Sequence, residues 1–558
     1  MNDTPRFDET HDVIVIGGGS SGSALAGRLS EDPRTQVLVL EAGADVHNWL
    51  GTVPTAAVLM VPSKLHNYAF ETVPQPGLNG RRGYVPRGKM LGGSSGINAM
   101  VYTRGQPDDY DHWAALGNVG WGWSDVLPFF VKSEGNDTFG APLHGRDGPL
   151  KVSQLRTDNP LHAAWLAAGR EAGHPITDDF NGESQEGIGI YQVTQDRGER
   201  CSAARAYLRP HLGRPNLRVT VQAQVQRVLF DGRRAVGVEV KVAGQLRRLQ
   251  ARREVVLAAG AIQSPQLLML SGVGDAVQLQ AHGIDVLHHL PGVGANLQDH
   301  PDFVFGMRTR SPHAFGLSLR GGLAFWQALR RYRSERRGML TSNFAEGGGF
   351  LRSSAAQQRP DVQLHFVVAG VEDHARKLDW GHGLSCHMCL LRPQSRGTLK
   401  LASKDAGAAP LIDPAFFQHP DDLAQMVDGF KLTRTLLRQP SLRAHWQREL
   451  WNTDLASDAD IQALLRQRTD TIYHPVGTCK MGSDAMAVVD AELRVHGLQG
   501  MRVVDASIMP TLVSGNTNAP AMMIGEKAAQ MMQAQARFAV PAEKVATAAT
   551  IPMIPKAA

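Results

Sequence analysis

"DVIVIGGGSSGSALAGRLSEDPRTQVLVLEAG", residues 12–43, is the stretch that decides the fold. Its opening β-branched run, 13–16, suits a strand buried on both faces. The run breaks on Gly17-Gly18-Gly19-Ser20-Ser21-Gly22, which has the spacing G-x-G-x-x-G. In that pattern the first glycine makes the turn and the second lets backbone approach a pyrophosphate. The third lets the following helix pack close to the strand. The N-terminal N–H groups of that helix then face the phosphates. A second strand, "VLVLE", ends on Glu41, where a carboxylate can accept hydrogen bonds from ribose hydroxyls. Together these features point to a dinucleotide, and the pattern serves NAD and FAD alike.

Outward from this unit the theme recurs. "REVVLAAGAIQSPQLLMLSG" (253–272) repeats strand, glycine turn and helix, and "MRVVDASIMP" (501–510) is a strand ending on an acid, Asp505. Between them, 151–215 and 300–470 mix strands with amphipathic helices. The expected fold class is α/β, an α+β composite of two domains. A Rossmann-like nucleotide domain is assembled from discontinuous segments, 8–150, 216–305 and 471–536. A substrate domain with an antiparallel sheet takes 151–215 and 306–470, and 537–558, rich in Ala and Pro, forms a flexible tail. A chain of 558 residues is long enough for two such cores.

Composition narrows the function. The 42% hydrophobic and 20% charged fractions are those of a globular protein. A formal net charge of +5 with no strong basic block argues against nucleic acid as a partner. No run reaches the ~18 apolar residues of a membrane span. The N-terminus lacks the basic stretch and apolar core of a secretory signal. A cytoplasmic location is expected, and peripheral contact with the inner membrane stays open. Of the four cysteines, Cys386 and Cys389 have CxxC spacing but no second pair completes a zinc site. Buried thiols, and no metal, are the expectation.

Four further stretches carry a resemblance. They are "GKMLGGSSGINAMVYTRGQPDDYD" (88–111), "GAIQSPQLLMLSGVG" (260–274), "YHPVGTCKMG" (473–482) and "VVDASIMPTLVSGNTNAP" (503–520). Together they resemble the glucose–methanol–choline family of FAD-dependent oxidoreductases, from about residue 12 to about 532. The resemblance implies that Gly17, Gly19, Ser21, Gly22, Glu41 and Ala42 hold the adenosine diphosphate, with the backbone of Val225 near the adenine. Gly92, Gly93, Ser94 and Asn98 would lie against the pyrophosphate and isoalloxazine, and Asp505 and Ala506 would meet the ribityl and phosphate region. Some members tether FAD through a histidine in the Gly/Ser loop. That position is Ile97 here, so non-covalent FAD is implied.

Oxidising an alcohol on a flavin requires a proton to leave the hydroxyl, and a neutral imidazole can take it near neutral pH. His474 directly precedes Pro475, which disfavours helix at that residue and restrains the backbone. The resemblance implies that His474 is the catalytic base and that its partner across the flavin falls on Asn518, which would orient the substrate. Of the other histidines, His300 reads as the maker of a structural hydrogen bond and His365 and His387 as packing or surface residues, while His382 stays open as a neighbour of the pocket. Within the family the chain resembles the branch of choline dehydrogenases and primary alcohol dehydrogenases, which usually pass electrons to a quinone or an artificial dye. Glu346, in "SNFAEGGGF", sits where an acid could meet a choline cation, and it is the candidate substrate residue. The expectation is oxidation of a primary alcohol to the aldehyde, with choline as the second reading. The same fold also hosts hydroxynitrile lyases and light-driven fatty-acid decarboxylases.

Overall fold

The structure, a computed structural model, describes residues 7–377 and 380–539. Residues 540–558 of the expected tail lie outside the described residues, and 518–539 form the last helix, Asn518–Ala539.

The opening stretch folds as its pattern dictates. The strand Glu9–Ile16 pairs in parallel with Val37–Leu40 on one side and with Gln245–Leu257 on the other. Val13, Ile14, Val15 and Ile16 are at most 4% exposed. Burial of side chains this size stabilises by about 1.5–3 kcal/mol each, which is why a central parallel strand is apolar on both faces. The sheet runs Leu217–Thr220, Val37–Leu40, Glu9–Ile16, Gln245–Leu257, Arg234–Val242, Ala223–Asp231. Met501–Val503 joins in parallel at the C-terminal end of Gln245–Leu257, bringing Asp505 to the same edge as the glycine turn. The helix Ser20–Leu29 packs against Asn518–Ala539. Two glycines enforce these contacts: a Cβ at Gly22 would stand 2.0 Å from the Gly17 carbonyl oxygen, and one at Gly525 would stand 2.4 Å from that of Ser21.

The second sheet is antiparallel, in the order Arg448–Glu449, Pro301–Thr309, Gly381–Leu390, Val362–Val367, Ala345–Leu351, Gly187–Ile190. One face is covered by the helices Leu161–Glu171 and Pro420–Leu437 through a cluster that includes Trp165, Phe303, Phe366, Met388 and Phe430. The other face looks toward the nucleotide domain. Two boundaries differ from the sequence reading. Residues 301–305 belong to the second sheet, because Pro301–Thr309 is one continuous strand. Residues 203–208 pack into the nucleotide core beside Ser20–Leu29, with Gly27 making room for Tyr207. Among the described residues, no helix is long and apolar enough to cross a membrane.

Candidate active site

A cavity of about 2320 Å³ is lined by residues of both sheets. Small-molecule sites usually span about 300–1,000 Å³, so this space suits a much larger occupant than a simple substrate. At one end, Gly19 is the N-cap of Ser20–Leu29 and supplies no capping side chain, which leaves the helix N–H groups open to the cavity. Ser21 lines the wall, and its buried Oγ has no hydrogen-bond partner among the described residues. Glu41 accepts from Gly18 N (3.0 Å) and Gly43 N (2.7 Å). Burial pushes its carboxyl up to about 7 despite these two donors.

The Gly/Ser loop closes over this end. Gly92 donates its N–H to the Gly18 carbonyl at 2.7 Å. A Cβ on Gly93 would come within 2.8 Å of Gly19 Cα, so the two backbones meet directly. Gly17, Gly19, Ser21, Glu41, Ala42, Gly93, Ser94, Asn98, Val225, Asp505 and Ala506 all line the cavity. Gly22 and Gly92 are outside that lining and shape it from behind. Asp505 accepts from Gly260 N (2.9 Å), Ser264 Oγ (2.5 Å) and Ser507 N (2.8 Å), tying two turns to one carboxylate. Ile97 is also in the wall, as an apolar side chain packed with Val46, Met60 and Met90. An uncapped helix N-terminus, an orphaned serine hydroxyl and glycines that leave room for a ligand fit a dinucleotide.

The other end is built around two His-Pro steps. Residues 297–301 run antiparallel to 472–476, bridged at Gln298 and Val476. Asp299 Oδ1 accepts the backbone N–H of both His300 (2.9 Å) and His474 (2.8 Å), and Asp299 Oδ2 accepts from Thr471 Oγ1 at 2.5 Å. Burial pushes the Asp299 carboxyl up to about 6, opposed by the Thr471 hydroxyl and by Arg87. Arg87 itself is lowered to about 10 by burial and donates to the Tyr473 carbonyl. The two imidazoles meet Nδ1 to Nδ1 at 3.0 Å, their planes 86° apart. His474 is 8% exposed. Burial holds its pKa well below 6.5, and the neighbouring His300, His365 and Arg87 push the same way.

Two sequence expectations need correction. Asn516, not Asn518, faces His474, with Asn516 Nδ2 lying 3.1 Å from His474 Nε2. Asn518 is the first residue of the last helix, and its Oδ1 accepts from Ser20 Oγ at 2.8 Å, tying the two long helices together. Glu346 is 1% exposed and absent from the cavity wall. Its carboxylate is taken by Ser342 Oγ (2.6 Å) and His162 Nε2 (2.8 Å) on the far side. The register with Val362–Val367 shifts between Ala345 and Gly347, a bulge that turns Glu346 away while Ala345 stays in the wall.

Sequence reasoning also passed over His300, His365 and His387. The latter two line the cavity. The visible signal was a second His-Pro pair, His300-Pro301, matching His474-Pro475. The four cysteines are free and buried; burial pushes the Cys386 and Cys479 thiols up, away from reactivity.

A Rossmann-like nucleotide domain joined to a domain built on an antiparallel sheet, with a buried imidazole at the cavity they share, fits a dinucleotide-dependent oxidoreductase. Family models described as GMC oxidoreductase match residues 11–302 and 393–525, and the chain belongs to that family. It is 46% identical over 530 residues to an alcohol dehydrogenase [acceptor] of Pseudomonas putida, covering 94% of this chain and 95% of that one. It is 43% identical to the mitochondrial choline dehydrogenase of Homo sapiens, covering 94% and 90%. Among solved structures, pyridoxine 4-oxidase from "Mesorbium loti" superposes with a TM-score of 0.84 at 31% identity, covering 94% of this chain and 99% of that one. The cofactor is FAD, and the reaction is oxidation of an alcohol.

Proposed function

We propose that the protein oxidises uncharged primary alcohols to aldehydes, with His474 as general base and Asn516 holding the hydroxyl oxygen. The carrying observation is the 3.1 Å approach of Asn516 Nδ2 to His474 Nε2 at the enclosed end of the cavity. One hydroxyl oxygen fits within hydrogen-bond reach of both atoms. Bound FAD, held by the 17–22 turn, Glu41, the 92–98 loop and Asp505, supplies the two-electron acceptor for the hydrogen leaving the α-carbon. His474 Nε2 takes the hydroxyl proton as the carbonyl forms, and its depressed pKa keeps it unprotonated at neutral pH. The Asn516 amide cannot titrate; it fixes the oxygen and stabilises its developing charge.

The preference for uncharged alcohols is supported by the apolar side chains around His365, although Glu71 and Glu372 also line the cavity. The sheet face bearing His365 presents Ala345, Val367, Ala369 and the neighbouring Phe344 to the cavity. Glu346, the carboxylate that could have met a trimethylammonium group, faces away. Choline is the second reading, supported by the 43% identity to a choline dehydrogenase. Anaerobic mixing with 1-octanol, benzyl alcohol or choline while following flavin absorbance separates the two. Bleaching by the uncharged alcohols at concentrations where choline is inert supports the proposal, and the reverse order overturns it.

For the acceptor we favour a lipid-soluble quinone reached at a membrane surface. Trp49 (58% exposed) and Phe325 (53%) stand at the cavity mouth, with Trp326 (66%) beside them. Arg333 and Arg336 line the same mouth, although Arg336 is paired with Glu199. Such a mix suits peripheral contact with anionic lipid from the cytoplasmic side, and the four free thiols fit that compartment. Co-sedimentation with anionic but not zwitterionic vesicles is the expected result, and equal recovery in the supernatant with both would refute membrane contact.

A further inference from the structure

We propose that His300 is a positioning residue that locks His474 into a single tautomer, the one whose Nε2 lone pair faces the substrate. The inference rests on the reading of His474 as the base.

Two independent ends of one hydrogen-bond chain give the same answer. At the first end, His300 Nε2 lies 3.1 Å from the Leu391 carbonyl oxygen, which only accepts. His300 Nε2 therefore carries the proton, and in the neutral ring Nδ1 is bare. Full burial, which depresses its pKa to about 3, keeps the ring neutral. A bare His300 Nδ1 at 3.0 Å can only accept from His474 Nδ1, which places the His474 proton on Nδ1.

At the second end, Asn516 Oδ1 accepts from Thr103 Oγ1 (3.2 Å) and Gln363 Nε2 (3.0 Å). The Gln363 contact sets which way the amide faces, because Gln363 Nε2 also donates to Tyr191 Oη, whose own proton goes to the Leu364 carbonyl. An N–H of Asn516, not the oxygen, then points at His474 Nε2. An N–H there needs an acceptor, so Nε2 is bare. From either direction the proton sits on His474 Nδ1 and the lone pair on Nε2.

Asp299 keeps the chain in register by accepting the backbone N–H of both histidines with one oxygen. His300 and Asp299 contact neither the substrate position nor the flavin position assigned above. Without an acceptor at His300, His474 is free to carry its proton on Nε2 instead. It then presents an N–H to an alcohol that needs a base. A wrong tautomer of this kind in a serine protease costs about 10⁴ in turnover.

The test compares His300→Leu with His300→Asn, whose amide oxygen can replace the bare Nδ1 as acceptor. In anaerobic stopped-flow reduction by 1-octanol, His300→Leu is expected to slow the limiting rate by ~100-fold or more. Its FAD content and octanol Kd should stay within about threefold of wild type, while His300→Asn recovers to within about tenfold of the wild-type rate. Equal impairment of both variants would show that His300 merely fills space and would overturn the proposal. So would a wild-type rate in His300→Leu. His474→Ala run alongside keeps the two readings apart: if it retains the wild-type rate, His474 is not the base and that reading fails first. Should His300→Leu not retain flavin, nitrogen NMR of ¹⁵N-histidine-labelled wild-type holoenzyme, with His474 assigned by its loss in His474→Asn, reads the tautomer directly. A proton on Nδ1 supports the lock, and a proton on Nε2 contradicts it.

Discussion

Acidification should weaken the wild-type protein relative to His365→Leu, by an amount set by one buried imidazole. His365 is 4% exposed, and burial drives its pKa down to about 3, with a smaller push from His387. In the unfolded chain a histidine titrates near 6.5. Between those values the unfolded state binds a proton that the folded state refuses, so stability falls as pH falls. The stabilising contribution is complete above 6.5 and is lost progressively toward 3. From pH 7.5 to pH 5.0 the loss extends over about 1.5 pH units at 1.36 kcal/mol each, or about 2 kcal/mol. His365→Leu lacks the group, so its stability relative to wild type should improve by about 2 kcal/mol over the same interval. Glu41 and Asp299, with carboxyls raised to about 7 and about 6, gain stability in acid. They do so in both proteins and drop out of the difference. Equilibrium urea unfolding of the two holoproteins at both pH values, followed by tryptophan fluorescence, measures it. A difference that stays constant with pH, or that moves against the variant in acid, would mean that His365 is charged in the folded protein and would refute the reasoning.

Exchanging the two asparagines tests the correction to the site. Asn516→Ala should slow flavin reduction by roughly 10²–10³-fold, the usual cost of losing one donor to a developing oxyanion. Asn518→Ala should change it less than about threefold, because that side chain holds Ser20; stopped-flow traces of the two variants decide. Glu41→Ala removes the acceptor shared by Gly18 and Gly43, two hydrogen bonds of about 0.5–1.5 kcal/mol each. Part of that loss should appear as weaker cofactor retention, read as the FAD-to-protein ratio after gel filtration. A ratio equal to wild type would count against Glu41 as a cofactor residue.

Local patterns carried the nucleotide domain. The apolar run at 13–16, the glycine turn and Glu41 are neighbours in sequence, and each is governed by contacts within one strand–helix–strand unit. For the second domain an antiparallel sheet was expected but its strand order was not legible, because it joins strands as distant as Gly187–Ile190 and Ala345–Leu351. In the latter, Gly347, Gly348 and Gly349 leave room for Trp165, Tyr191 and Ile188, a packing demand that no strand propensity reveals. The site errors have the same origin. Whether Asn516 or Asn518 meets His474 depends on where the last helix begins, and a difference of two residues reverses the side-chain direction. Glu346 was placed by resemblance alone, and the bulge that turns it away appears only once its strand is paired with Val362–Val367. His300 was read as structural because its role appears only when two segments 174 residues apart lie side by side.

The central claim is that His474 deprotonates an alcohol while FAD accepts the hydrogen from carbon. The most direct measurement is anaerobic mixing of 1-octanol with wild type and His474→Ala, both loaded with FAD, while the flavin's visible absorbance is recorded. The expected result is prompt bleaching in wild type and a rate about 10²–10⁴-fold lower in the variant, which keeps its yellow flavin. Equal rates in the two proteins, or a wild-type flavin that no alcohol bleaches, would contradict it.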